Sequence, residues 1–129
     1  MAADEKYGAR TWATLRSWSP ILEKYEVIRS DKKIGMSNIY CYVGCTKKHL
    51  NIVTLNPLDV TRTTAGFSIP LTDVTSASIK KGLLRCSIQF RFEKESLSFD
   101  WSNGAAGTDM KDQKKNLDAM IHFISNRFA

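Results

Sequence analysis

Residues 86 to 101 constrain the fold more than any other stretch of the chain. Cys86, Ile88, Phe90 and Phe92 alternate with Ser87, Gln89 and Arg91. Leu97, Phe99 and Trp101 alternate with Ser98 and Asp100. Successive side chains on a strand point to opposite faces, so each run has one apolar and one polar face. Only the polar stretch Glu93-Lys94-Glu95-Ser96 separates them. Two such runs so closely joined form an antiparallel hairpin, buried on one side and wet on the other. The rest of the chain must therefore supply a core against one face of a sheet.

The preceding residues have the same texture. Tyr25 to Arg29 is a short β-prone run, followed by the polar turn Ser30-Asp31-Lys32-Lys33. From Asn38 to Cys45, Ile39, Cys41, Val43 and Cys45 share one face, and Tyr40 and Tyr42 take the other. Thr46-Lys47-Lys48 makes a tight turn into His49–Leu55, which is apolar on both faces and reads as a central strand. Asn56-Pro57-Leu58-Asp59 begins a loop, because proline cannot continue a central ladder. Gly66–Leu71 and Val74–Lys80 are two further strands, and Lys81-Gly82 marks a turn.

Both ends read as helical. Trp12, Leu15, Trp18 and Leu22 recur at spacings of three and four, which predicts a helical segment over about Tyr7 to Lys24. Ser19-Pro20 inside it is a helix-start signal, so the segment is either two short helices or one bent at Pro20. At the other end, Thr108 or Asp109 caps a helix running to about Arg127. Leu117, Ile121, Ile124 and Phe128 form its apolar stripe.

The expectation is thus mainly β with added α. Seven antiparallel strands form a sandwich or partly open barrel, a C-terminal helix caps the open end, and an N-terminal helical segment is extra. The division is a helical appendage over 1–24 and one domain over 25–129. The length of 129 residues suits a single core and leaves no room for two.

Charge and cysteine usage narrow the class. The net charge of +6 is spread out: residues 1–64 carry 10 basic and 6 acidic groups, and residues 65–129 carry 9 and 7. With no basic tail or basic helix, nucleic acid is not an expected partner. The three cysteines, Cys41, Cys45 and Cys86, contain no Cys-x-x-Cys and have no histidine at metal spacing. They read as reduced, mostly buried thiols. The acidic start Met1-Ala-Ala-Asp-Glu-Lys lacks the basic and apolar regions of a signal peptide, and no apolar run approaches a membrane span. A cytoplasmic location, extending to peripheral contact with a membrane, is the expectation.

Two segments carry a family resemblance. Tyr42-Val-Gly-Cys-Thr-Lys-Lys-His-Leu-Asn-Ile-Val-Thr-Leu55 looks like a "threonine, basic residue, leucine, strand" signature. Phe67-Ser-Ile-Pro-Leu-Thr-Asp-Val74 looks like an "isoleucine, proline, leucine, x, aspartate, isoleucine or valine" segment. With the hairpin and terminal helix that follow, the chain from Tyr42 to about Ile124 resembles the small bacterial pleckstrin-homology-like (PH-like) domains. The resemblance implies an interaction scaffold, self-assembling in some members, rather than a chemistry. Some eukaryotic members are similar to phosphoinositide readers. Their basic signature is matched here only by Arg29, Lys32 and Lys33, since Ile34 to Asn38 adds no cation.

Candidate residues follow from these placements. The PH-like arrangement gathers the first, third and last hairpin loops at one end, and with them Lys32, Lys33, Arg62 and Lys94. Four cations there suit an anionic lipid or another phosphate-bearing ligand. Glu93, Glu95 and Asp59 in the same loops oppose it. Trp12 and Trp18, with Arg10 and Arg16 on the same short helix, are candidate anchors for a partner or a membrane interface, and the alternative is burial over the sheet. Asp73 reads as a turn-closing residue. His49 and His122 have no partner at catalytic spacing, and no phosphate loop or metal motif is present. The sequence therefore predicts no catalytic residue, metal or cofactor. It predicts a binding module for a protein partner or a second copy of itself, with an anionic membrane surface as the alternative and a small enzyme of unseen type as the residual one.

Overall fold

The computed structural model describes residues 11–17, 19–29, 37–56, 59–82, 85–102 and 113–128. Its strands are β1 (Thr11–Ser17), β2 (Glu26–Arg29), β3 (Ser37–Cys45), β4 (His49–Asn56), β5 (Asp59–Pro70), β6 (Ser76–Lys81), β7 (Arg85–Arg91) and β8 (Ser96–Ser102). Short 3-10 helices occupy Pro20–Tyr25 and Leu71–Asp73, and one α-helix, α1, spans Gln113–Arg127. The fold is mainly β with a C-terminal helix. All strands belong to one antiparallel sheet of order β2-β5-β4-β3-β1-β8-β7-β6.

The sheet has eight strands, where the sequence reading has seven. The additional strand is β1, in the segment read as helical. Leu15 and Ala13 turn inward with Thr11, all buried, while Trp12, Thr14 and Arg16 point outward. That is a period of two, which the three-and-four spacing of Trp12, Leu15, Trp18 and Leu22 obscures. β1 pairs with β3 from Thr11↔Val43 to Ser17↔Ser37, and with β8 at Thr14↔Asp100 and Leu15↔Phe99. It is an interior strand joining the two halves of the sheet, not a helix laid against it. The expected helix start survives as the 3-10 turn: Ser19 Oγ accepts from Ile21 N–H at 3.4 Å, and Pro20 sits in the first turn.

A second difference concerns β5, which begins at Asp59 rather than near Gly66. Its pairing with β4 is irregular at Thr54, Leu55 and Asn56, where the register slips. Such irregularity interrupts simple alternation, so the early part of β5 reads as loop.

The expected hairpin is present as β7–β8, paired from Arg85↔Ser102 to Arg91↔Ser96. Cys86, Ile88, Phe90, Leu97, Phe99 and Trp101 are buried and their alternate neighbours are not. Leu50 and Ile52 of β4, Phe67 and Ile69 of β5, and Leu117, Met120 and Ile124 of α1 join them in one core cluster. Both halves of the sheet therefore curl over the same core, and α1 covers it. Each large side chain fully buried there contributes roughly 1.5–3 kcal/mol. Two polar links serve this core. Trp101 Nε1–H donates to Thr11 Oγ1 at 2.7 Å, and Thr11 Oγ1 donates to the Val43 carbonyl at 2.8 Å. The Thr54 and Thr64 hydroxyls pair at 2.7 Å. No helix among the described residues is long and apolar enough to cross a membrane.

Candidate functional site

The outer face of the sheet divides into an aromatic part and a polar part. Cross-strand pairing of Trp12 with Tyr42 brings β1 and β3 aromatics together on that face. Trp12 and Tyr40 stack with centroids 5.6 Å apart and planes 30° from parallel. Tyr42 meets Trp12 edge-on at 5.4 Å and 78°. Tyr40 keeps 40% of its surface exposed, while Trp12 and Tyr42 are half-buried. Contacts of this geometry stabilise by roughly 0.5–1.5 kcal/mol, and the cluster is held in place without being enclosed.

The polar part lies further along β1, beyond Thr14. Arg16 Nε lies 3.5 Å from Asp100 Oδ2 on β8, and Ser87 Oγ of β7 donates to Asp100 Oδ1 at 2.6 Å. The Arg16 side chain is 63% exposed, so this ion pair adds little to stability and leaves the guanidinium open to solvent. An aromatic cluster bordered by an arginine and a hydrogen-bonded carboxylate is the resulting surface.

Of the residues singled out from sequence, Trp12 lies in this cluster, on the outer face of a strand. Trp18, Lys32 and Lys33 lie outside the described residues. Arg62 is within β5, but its side chain is also outside them. Lys94 is exposed in the β7–β8 turn between Glu93 and Glu95. Of the four candidate cations, only Lys94 has a described side chain. Asp73, read from the sequence as a turn-closing acceptor of backbone amides, accepts instead from a side chain distant in sequence: Tyr25 Oη–H donates to Asp73 Oδ2 at 2.9 Å. Tyr25 also stacks on Phe92 with centroids 6.4 Å apart.

The sequence reading does not single out Tyr40, Tyr42 or Asp100 as site residues, and it places Arg16 beside Trp12 only on a helix. The alternation in Asn38–Cys45 does put both tyrosines on the polar face. Only the pairing of β1 with β3 and β8 reveals their neighbours, and β1 reads as helix.

The remaining reactive groups sit apart from this face. Cys41 and Cys86 are buried, and Cys45 is partly so. Burial pushes the Cys45 thiol up to about 12 and raises Cys41 and Cys86 as well. His49 is half-buried at the start of β4, and His122 is exposed on α1, where its Nε2 is 3.2 Å from Asn126 Nδ2. Among the described residues, no three His, Cys, Asp or Glu side chains gather as a metal set. Comparison of the chain with protein-family models, curated proteins and solved structures gives no match.

Proposed function

We propose that this chain is a non-catalytic interaction module of PH-like fold whose outer sheet face at β1 and β3 docks a partner protein. The observation that carries this reading is the Trp12–Tyr40–Tyr42 cluster beside Arg16. Tryptophan, tyrosine and arginine are the residues that most often dominate binding energy at protein interfaces.

The fold part of the reading has its own support. The segment Phe67–Val74 that carries the resemblance ends β5 at Pro70 and turns through Leu71–Asp73 into β6. Two antiparallel sets of strands meet at β1, and a terminal helix covers their shared core. A mainly β fold with a terminal helix is compatible with the resemblance, and the sheet has eight strands rather than the seven expected.

Docking on the face is favoured over strand addition at the sheet edges. One edge strand, β2, has only 4 residues and an irregular register between Glu26 and Ile28. The other, β6, ends in Lys80 and Lys81. Short, irregular and lysine-bearing edges are the usual means of discouraging edge pairing. The alternative of a phosphate-bearing ligand at Lys32, Lys33, Arg62 and Lys94 gains no support from the described residues, because Lys94 is flanked by two glutamates.

Affinity capture from lysate with the native chain, Tyr40→Ser and Lys47→Ser tests the reading. The expected result is a partner retained by the native chain and Lys47→Ser and lost with Tyr40→Ser. A partner retained equally by all three contradicts it.

A further inference from the structure

Cross-strand register carries one row of outer-face side chains from the sheet edge to the aromatic cluster. Lys80 of β6 lies across from Ser87, Ser87 from Asp100, Asp100 from Thr14, and Thr14 from Tyr40. At about 4.8 Å per strand, Lys80 and Tyr40 are roughly 19 Å apart along this row. Side chains two residues apart on a strand share a face, so Arg16 of β1 and Arg85 and Arg91 of β7 belong to the same outer face. Arg85 lies across from Ser102. The Ser102 and Trp12 carbonyls both accept from Gln113 Nε2–H, at 3.4 and 2.8 Å, which sets Arg85 one strand beyond the point where β8 approaches Trp12. Lys81, the next residue after Lys80, takes the other face and pairs with Asp118 of α1 at 3.5 Å.

The charge of this face is one-sided. Strands β1, β3, β6, β7 and β8 hold a single acidic residue, Asp100. It is occupied, with Arg16 Nε 3.5 Å from one oxygen and Ser87 Oγ donating to the other at 2.6 Å. Lys80, Arg85 and Arg91 are exposed and form no ion pair among the described residues. Glu93 and Glu95 stand in the turn just past Arg91, so the positive excess is strongest at Lys80 and Arg85. Unpaired cations beside a docking surface speed encounter with partners of opposite charge and repel partners of like charge.

We infer that the partner docked on the aromatic face is an acidic protein, with carboxylates on Lys80 and Arg85 and an apolar anchor on the rings. The inference rests on the docking reading above and adds the partner's charge. A single-stranded nucleic acid is the other polyanion with a use for aromatic rings, but it stacks its bases on open ring faces. Here Trp12 and Tyr40 stack on each other at 5.6 Å and Tyr42 packs edge-on against Trp12 at 5.4 Å, so the rings cover one another. Rings packed together in this way favour side-chain contacts over base stacking.

A labelled random copolymer of glutamate and tyrosine, which supplies carboxylates and rings, is the probe, and fluorescence anisotropy at low and high salt reads its binding. The native chain is expected to bind it, less tightly as salt rises. Lys80→Glu/Arg85→Glu is expected to weaken binding by about tenfold. The control Lys47→Glu/Lys48→Glu, at the β3–β4 turn, makes the same charge change elsewhere and is expected to weaken it far less. Tyr40→Ser is expected to weaken it, and labelled oligothymidylate of matched charge is expected to bind less tightly than the copolymer. Absence of copolymer binding overturns the inference. So does an equal loss in the Lys47/Lys48 control, which would mean net charge alone, or oligothymidylate binding as tightly as the copolymer, which would mean a nucleic acid. If Tyr40→Ser weakens binding and Lys80→Glu/Arg85→Glu does not, the acidic partner falls and the docking face stands. If the charge reversal weakens binding and Tyr40→Ser does not, the docking face falls and the inference with it.

Discussion

The Gln113 side chain reads the backbone of Trp12 from both sides: Oε1 accepts from the Trp12 N–H at 2.8 Å, and Nε2–H donates to the Trp12 carbonyl at 2.8 Å. The two residues are 101 apart in sequence. The amide acts as a one-residue strand, fixing the start of α1 against β1 at the residue whose ring opens the aromatic cluster. Gln113 is only 2% exposed, so its amide has little access to water as a substitute partner.

Replacing it with an apolar residue leaves the Trp12 groups short of partners. Gln113→Leu is expected to destabilise the protein by about 1–3 kcal/mol. Gln113→Glu keeps the acceptor and loses the donor, and adds a buried charge, so it is expected to cost at least as much. Urea unfolding of the three proteins checks this, and native-like stability of Gln113→Leu would show the latch to be incidental.

The Trp101–Thr11–Val43 chain makes a second, separable prediction. Thr11→Val removes the acceptor for the indole N–H and leaves that donor buried, at a cost of about 1–3 kcal/mol. In a Trp101→Phe background the donor is already gone, so the same substitution is expected to cost less. A double-mutant cycle reads the difference as a coupling energy. Additive effects would mean the hydrogen bond contributes nothing beyond packing.

The buried thiols make stability fall at high pH. Burial holds Cys45 at about 12 against an ordinary value of 9.0. Below pH 9 the thiol is neutral folded and unfolded, and its contribution is constant. Between about pH 9 and pH 12 only the unfolded chain loses the proton, so stability declines as pH rises, by up to about 1.4 kcal/mol per unit for this one thiol. Cys41 and Cys86, also raised, add in the same direction. Unfolding midpoints measured from pH 7 to 10.5 should drop above pH 9, and less steeply in Cys45→Ala. A flat profile would mean that the thiols ionise alike in both states.

The core has a simple dependence on volume. Phe99 is fully buried and meets Phe90 and Trp101 with centroids 6.0 and 5.7 Å away. Phe99→Ala is expected to cost about 3–5 kcal/mol by lost burial and an incompletely filled cavity. Tyr40→Ser, on the outer face, is expected to cost under about 1.5 kcal/mol, close to the worth of its ring contact. Thermal unfolding of both variants separates a core residue from a surface anchor.

Much of this fold is legible in the sequence where pattern and environment agree. β3, β7 and β8 follow the alternation of their side chains because one face of each meets the core and the other meets water or polar neighbours, and β4 follows its apolar run, which suits an interior strand. β1 was not legible, because four apolar residues fall at spacings that also suit a helix. Pairing with β3 and β8 decided against it: only the strand conformation fills the gap between the two halves of the sheet. The helix stripe was partly read. Leu117 and Ile124 are buried as expected, but Met120 and Gln113 are buried too, while Ile121 and Phe128 stay half-exposed. Gln113 could not be found from hydropathy, since its burial depends on two backbone groups of a strand 101 residues away. The same holds for the aromatic face. Tyr40 and Tyr42 are visible as outward residues, yet their meeting with Trp12 exists only once β1 is a strand.

The central claim is that the Trp12–Tyr40–Tyr42 face is the docking surface for a protein partner. A photo-crosslinking amino acid at position 40, with the same group at position 89 on the polar outer face as comparison, tests it most directly. The account predicts a discrete protein adduct from position 40 in cells, absent from position 89 and abolished by Arg16→Glu. Adducts from position 89 alone, or none from position 40 in a correctly folded chain, would contradict it.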